Sequence, residues 1–229
     1  MNKIIWKDIE STEIKGLMIC ELPPITKPKM RVQETLIDGV DGSIIEELGY
    51  EPYDKKLQIG LANKFDIDEV IKYFTGEGNV TFGNEPDKYY KAKIIEQIDY
   101  ERLLRYRTAS VTFRIQPYKY EMYENSVIIT ESGKNVNNNG LEESKPIMKI
   151  TGSGTIELLI NDLLVFRYTF PEDETEVVID SERQDAYLGA ILKNRNMIGD
   201  FPVLKSGSNK VSWTGTITSI EIEPKSRWL

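Results

Sequence analysis

Apolar residues recur at every second position through most of this chain. Leu57, Ile59 and Leu61 do so, then Val111, Phe113 and Ile115, then Ile156, Leu158 and Ile160, and finally Ile220 and Ile222. An extended backbone points alternate side chains to opposite faces, so each run can bury its apolar face only as part of a sheet. One stretch departs from this period. Ile67, Val70, Ile71 and Phe74 are spaced for a helical stripe, with Asp66 or Asp68 as its cap and Gly76 and Gly78 as its stop. The expected fold is therefore mainly β. It starts with a β-sandwich-like N-terminal domain that has one short α-helix and a long hairpin, and a C-terminal β-sandwich or jelly roll follows.

In the first part, strands are expected at 4–6, 17–21, 31–37 and 55–62. Pro23, Pro24 and Pro28 keep the linker after the second strand extended, because a proline has no amide to give to a ladder. Gly39-Val40-Asp41-Gly42 reads as turns, and the segments 80–82 and 89–98 read as a hairpin around Asn84-Glu85-Pro86-Asp87. A long strand over 109–116 follows. The polar, asparagine-rich run 134–140 marks a change of composition, so the domains are expected at 1–122 and 141–229 with a junction at 123–140. Beyond Pro146 the pattern predicts short strands. Asn161-Asp162 turns the chain into a strand with Leu164, Phe166, Tyr168 and Phe170 on one face, and segments 177–180 and 187–191 follow. Two separate strands close the chain, one carrying Val211 and Trp213, the other Ile220 and Ile222.

Composition removes whole classes of function. The 229 residues, enough for two domains, include no histidine and one cysteine, Cys20, whose neighbours Leu17-Met18-Ile19 lead us to expect it buried. Zinc sites and Ser/His or Cys/His nucleophiles are thereby excluded. The acidic loop with Asp38 and Asp41 lacks the distal glutamate of a calcium loop, and 171–176 reads as a solvated acidic turn. Gly152-Ser153-Gly154 lacks the strand-loop-helix setting of a phosphate cradle. No catalytic, cofactor or metal residue emerges, and an enzyme is not expected. The formal charge is −8, with 18 basic and 21 acidic residues up to 122 and 11 and 16 after it, so no concentrated positive face points to specific nucleic-acid binding. No apolar run reaches the ~20 residues of a membrane span, and the charged start Met-Asn-Lys-Ile-Ile-Trp-Lys-Asp is not that of a signal peptide. Synthesis in a cytoplasm, without membrane insertion, is the expectation.

The last third carries the most specific pattern. Phe201-Pro202-Val203-Leu204 leads through Lys205-Ser206-Gly207-Ser208-Asn209 into the strand with Trp213, and the chain ends Arg227-Trp228-Leu229. This FPxLxxGxN turn, Trp-bearing strand and Arg-Trp end resemble the C-terminal part of the distal tail proteins of long-tailed bacteriophages. The resemblance extends in order along the chain. It takes in Gly39-Val40-Asp41-Gly42, Tyr53-Asp54, Pro86-Asp87-Lys88-Tyr89-Tyr90-Lys91-Ala92, Phe113-Arg114-Ile115-Gln116-Pro117-Tyr118, Val178-Ile179-Asp180-Ser181 and Asn194-Arg195-Asn196-Met197.

The resemblance implies a structural virion protein at the distal end of a phage or prophage tail. Six first domains would form a ring around a DNA channel, and the second domains would project outward. The implied partners are the chain itself as a homohexamer, the tail tube protein, a tail-associated tip or baseplate protein, and the tape-measure protein. The terminal Arg227-Trp228-Leu229 is expected to pack back on the protein. Ring contacts are expected on the Pro-rich arm with Pro23, Pro24 and Pro28 and on the hairpin with Tyr89, Tyr90 and Ile94. The second domain also resembles carbohydrate-binding modules, so the alternative is a host-adsorption role in which Tyr187 and Trp213 contact a glycan.

Overall fold

The computed structural model describes residues 2–39 and 41–229, so Val40 of the expected Gly39–Gly42 turn lies outside the described residues. The chain divides into two compact units, one running to Met122 and taking in Leu229, the other Tyr123–Trp228. Both are mainly β, as the alternation requires.

The first unit contains β1 (Ile4–Trp6), β2 (Ile9–Glu10), β3 (Leu17–Glu21), β4 (Met30–Leu36), β5 (Ser43–Tyr50) and β6 (Tyr53–Leu61). Helix α1 (Ile67–Tyr73), β7 (Glu77–Phe82), β8 (Lys88–Ile94), α2 (Tyr100–Tyr106) and β9 (Thr108–Glu121) complete it. Its main sheet is antiparallel in the order β2-β1-β7-β8-β9-β6-β3. Alternation along β6 and β9 puts Leu57, Ile59, Val111, Phe113 and Ile115 into the core. Phe113 is its aromatic centre, meeting Trp6 edge-on at 5.1 Å between ring centroids and Phe82 at 5.9 Å. In α1 the Asp66 carboxylate caps the helix by accepting from the amides of Asp68 and Glu69, while Val70 and Tyr73 are buried.

Besides β5, which was not expected, two features of this unit depart from the sequence expectation. The first is a second helix: Asp99 caps α2 by accepting from the Arg102 amide, and only Leu103 of its side chains is buried. Leu103 and the half-buried Tyr100, three residues apart, are too short an apolar stripe to read from periodicity. The second is Cys20, which is exposed rather than buried. The pleat of β3 turns Leu17 and Ile19 inward, and Met18 and Cys20 outward with it.

The second unit contains β10 (Val127–Ile129), β11 (Lys134–Asn138), β12 (Ile147–Ile160), β13 (Leu163–Thr169), β14 (Glu176–Asp180), β15 (Asp185–Leu188), β16 (Ile191–Leu192), β17 (Met197–Gly199) and β18 (Gly207–Glu223). Residues 123–140 thus carry two strands, both antiparallel to β18. The final two expected strands are one strand, β18, of 17 residues, paired along its length with the 14-residue β12. The register shifts at Thr151/Gly152 and Ser153/Glu157, and both strands change layer there. The first half of β12 pairs with β14 and its second half with β13, so one long strand pair supplies both layers. Gly215 makes the bend possible, with φ +85° and so little room that a Cβ would lie 2.4 Å from the Thr155 carbonyl oxygen.

Met148, Ile150, Ile156, Leu158, Phe166, Tyr168, Ile220 and Ile222 form the core between these layers. Asn161 and Asp162 both have positive φ, 53° and 65°, as a two-residue hairpin turn requires. Leu164 is exposed, unlike Phe166 and Tyr168, because the register shift between Leu158 and Leu159 turns it out of the face they share.

Asn209 closes the FPxLxxGxN turn. Its carboxamide oxygen accepts from the Lys205 amide at 3.0 Å and from Asn161 Nδ2 at 3.1 Å. Its Nδ2 donates to the carbonyls of Lys205 and Gly207. Leu204 is fully buried and exchanges two backbone hydrogen bonds with Ser144. The motif is therefore a structural clamp of this unit.

Candidate assembly interface

Prolines between β3 and β4 deny the chain a ladder, so residues 22–29 must be held by other means. Asn84 Nδ2 donates to the Pro23 carbonyl at 2.9 Å, and Lys55 Nζ donates to the Pro24 carbonyl at 2.7 Å. Lys55 is only 3% exposed and lies 5.2–5.8 Å from the ring centroids of Tyr53, Phe82 and Tyr90. Burial pushes its pKa down, an effect the negative charge of Glu85 opposes. Glu85 accepts from the Tyr90 hydroxyl and from Lys119 Nζ, the latter at 2.6 Å. Burial raises the Tyr53 phenol to about 12, and raises Tyr90 as well, with Glu85 adding to both.

From this anchored linker β4 and β5 leave as a hairpin that forms a sheet of its own. Its root is fixed by Tyr50, whose ring meets Tyr118 edge-on at 6.1 Å. Beyond the root no side chain of either strand is buried. The register sets Val32 opposite Glu47, Glu34 opposite Ile45 and Leu36 opposite Ser43, so these six share a face. Leu36 is 77% exposed and Ile45 60%. An isolated two-stranded hairpin is marginal in water, and this one leaves Val32, Ile44 and Ile45 exposed.

Helix α2 presents a second unused surface. Arg102, Arg105 and Tyr106 stand three and four residues apart on one side of it and line an open hollow of about 530 Å³ with Asp99 and Glu101. The Asp99 carboxylate is engaged in capping. Leu104 and Tyr106 are exposed, and Arg102 and Arg105 enter none of the ion pairs found among the described residues.

The residues singled out from sequence fall in several settings. Pro23 and Pro28 are buried and Pro24 is exposed, all three in the anchored linker. Tyr89 stacks on Tyr120 with ring centroids 5.4 Å apart, and Ile94 packs against the first core. Tyr90 is 1% exposed, so its ring serves its own core and presents nothing to a second copy. Trp213 packs against the second core, opposite Leu158. Tyr187 lies on β15, which is reached from β18 only across β12 and β14. That is three strand spacings, about 14 Å along the sheet. Its row runs through Val178 to Lys149, nine positions from Leu158 on β12, so the two aromatics form no common platform.

Strand β4 was expected at 31–37; its partner β5, with Ile44, Ile45 and Leu48, is what sequence reasoning missed, because neither face of β5 is buried and the run does not alternate. The available signal was the glycine-rich turn between two runs of β-formers.

Among the described residues no three aspartate, glutamate or cysteine side chains cluster as a metal ion's ligands would, and no described helix is long and apolar enough to cross a membrane. No family model matches the sequence, and no curated protein matches it. Solved structures do share the fold. The Dit protein (gp 19.1) of phage SPP1, described as a paradigm of the hub adsorption apparatus in phages infecting Gram-positive bacteria, matches with a TM-score of 0.74. It is 14% identical, and the match covers 100% of both chains. Chains of the phage p2 baseplate in its activated conformation, with calcium and with strontium, match at TM-scores of 0.52 and 0.51. Both are 10% identical over 96% of this chain and 97% of theirs.

Proposed function

We propose that this chain is a structural protein of the distal end of a bacteriophage or prophage tail. Six copies close into a ring through their first units and join the tail tube to the tip or baseplate. The observation that carries this reading is a fold shared over the entire length of the SPP1 hub protein, in both units and in one order. The order of sequence motifs along the chain supports it independently.

In this role the tube protein binds one side of the ring and the tail-associated tip protein the other, with the tape-measure protein passing through. The chain is made in the host cytoplasm and ends in the virion. Its acidity suits a channel for DNA. At −8 per chain, six copies carry about −48, and a like-charged wall repels phosphates instead of holding them. The role is one of assembly, with no bond-making step assigned to any residue.

Antibody-labelled electron microscopy of intact particles tests the proposal. Label confined to the junction of tube and tip is expected. Label on the capsid, along the whole tube, or absent from particles would contradict it.

A further inference from the structure

The corner that follows β11 in the second unit combines a labile sequence with the bonds that restrain it. Asn139-Gly140 is the chain's one Asn-Gly pair. Gly140 is buried where a Cβ would lie 2.4 Å from the Arg227 carbonyl oxygen and 2.5 Å from the Arg227 nitrogen, so the fold admits nothing larger there. The same bareness leaves the Gly140 nitrogen unhindered toward the Asn139 carboxamide. Asn139 is exposed, and its carboxamide oxygen accepts from Asn137 Nδ2.

The backbone on both sides of this bond is tied down. The Asn139 amide donates to Ser226 Oγ at 3.0 Å, and the Gly140 amide to Asn138 Oδ1 at 2.9 Å. The Gly140 carbonyl accepts from Ser206 Oγ at 2.6 Å. Asn138 and Ser226 are themselves buried, and Asn138 Nδ2 joins the corner to the carbonyls of Glu142 and Leu204.

We propose that Asn139 is a deamidation site gated by the folding of this corner. In the reaction the Gly140 nitrogen bonds to the side-chain carbonyl carbon of Asn139 and gives up its proton. The carboxamide nitrogen leaves with that proton as ammonia, and a succinimide ring forms. Water then opens the ring at either carbonyl, leaving an aspartyl or an isoaspartyl linkage at 139. Attack requires the Gly140 nitrogen to turn away from Asn138, which the bonds at Ser226, Asn138 and Ser206 oppose. The reaction therefore runs through the opened corner, at the open-chain rate scaled by the fraction open. An isoaspartyl linkage adds a methylene to the main chain and moves Gly140 out of register with Asn138 and Arg227. For chains that carry it, unfolding of the second unit is one-way.

Peptide-resolved mass spectrometry of the full-length protein tests this. Deamidation at 139 adds one mass unit, whereas isomerisation at the Asp-Gly pairs of Asp38 and Asp41 adds none. At mildly alkaline pH, folded wild type is expected to react at least about a hundredfold more slowly than the same chain in denaturant. Ser226→Ala removes the acceptor of the Asn139 amide and should raise the folded-state rate about tenfold, leaving the rate in denaturant unchanged. Ser206 is exposed, so Ser206→Ala loosens the corner from its other side even if Ser226→Ala does not fold. It should raise the rate about threefold. Isoaspartyl chains should fail to recover slow hydrogen exchange in β18 when denaturant is removed. Asn139→Ser chains held equally long in denaturant should recover it.

Folded wild type that reacts as fast as the denatured chain would overturn the gating, and so would a folded serine variant that reacts like wild type. A denatured chain that gains no mass at 139 would overturn the site itself. Isoaspartyl chains that refold fully would overturn the one-way step.

Discussion

The ammonium of Lys55 donates to the carbonyl oxygen of Pro24 at 2.7 Å, joining β6 to a linker that has almost no other backbone partners. The bond sets where the hairpin leaves the first unit. Lys55→Met keeps most of the side chain's volume and leaves the Pro24 carbonyl without its donor. A loss of about 1–2 kcal/mol is expected. Faster amide exchange at Glu51, whose N–H donates to the Lys29 carbonyl, should accompany it, with β9 unchanged. Chemical denaturation and hydrogen-exchange mass spectrometry check the two effects together.

The phenols of Tyr53, Tyr73 and Tyr90 are all raised by burial, Tyr53 to about 12. A tyrosine raised in the folded state contributes stability that is complete below its unfolded pKa near ~10 and is lost as pH climbs through the folded value. Lys55, whose pKa is lowered, works in the opposite sense, since stability gains as its ammonium deprotonates on the way to its unfolded value. Three phenols outweigh one amine. The first unit should therefore weaken steeply between about pH 10 and 12, with phenolate absorbance from Tyr53, Tyr73 and Tyr90 appearing only as it unfolds. Phenolate formation at these three positions well before unfolding, read as the absorbance lost in the Tyr53→Phe, Tyr73→Phe and Tyr90→Phe variants, would contradict the burial described here.

Asn209 makes its four hydrogen bonds while completely buried. Asn209→Ala leaves the Lys205 amide and two carbonyls without their partner, and should cost the second unit about 2–3 kcal/mol. Asn209→Asp keeps the acceptor but loses the donor, and should fall between alanine and wild type. Both are read by denaturant titration of Trp213 fluorescence in a Trp6→Phe/Trp228→Phe background.

Gly215→Ala places a methyl group 2.4 Å from the Thr155 carbonyl oxygen at a φ of +85°. The bend in β18 must then open or the chain must strain, at about 2–4 kcal/mol. Gly154 also has positive φ, but open space surrounds its Cβ position, so Gly154→Ala should cost clearly less. The difference between their melting temperatures measures the crowding, since both share the positive φ.

Where burial is one-sided, the chain could be read in advance. Alternation located β6, β9 and the inward faces of β12, and the stripe of Val70 with the Asp66 cap located α1. Elements without a buried face were illegible. Helix α2 offers only Leu103 and the half-buried Tyr100, and β5 buries no side chain. The length of β18 was hidden because Gly215 looks like a turn, while the pairing with β12 carries the strand through it. Leu164 escaped because the extra residue of β13, Val165 between Phe166 and Leu164, breaks the pairing with β12 without any signature in the sequence. The hairpin and α2 of the candidate interface belong to this illegible class. A side chain meant for another molecule breaks the pattern of the fold that carries it.

The most direct test of the ring is the mass of the purified protein by light scattering, with negative-stain images of the same sample. The account predicts a species of six 26.3 kDa chains, about 158 kDa, with a central hole. A 26.3 kDa monomer that stays monomeric when mixed with the tube and tip proteins would contradict it.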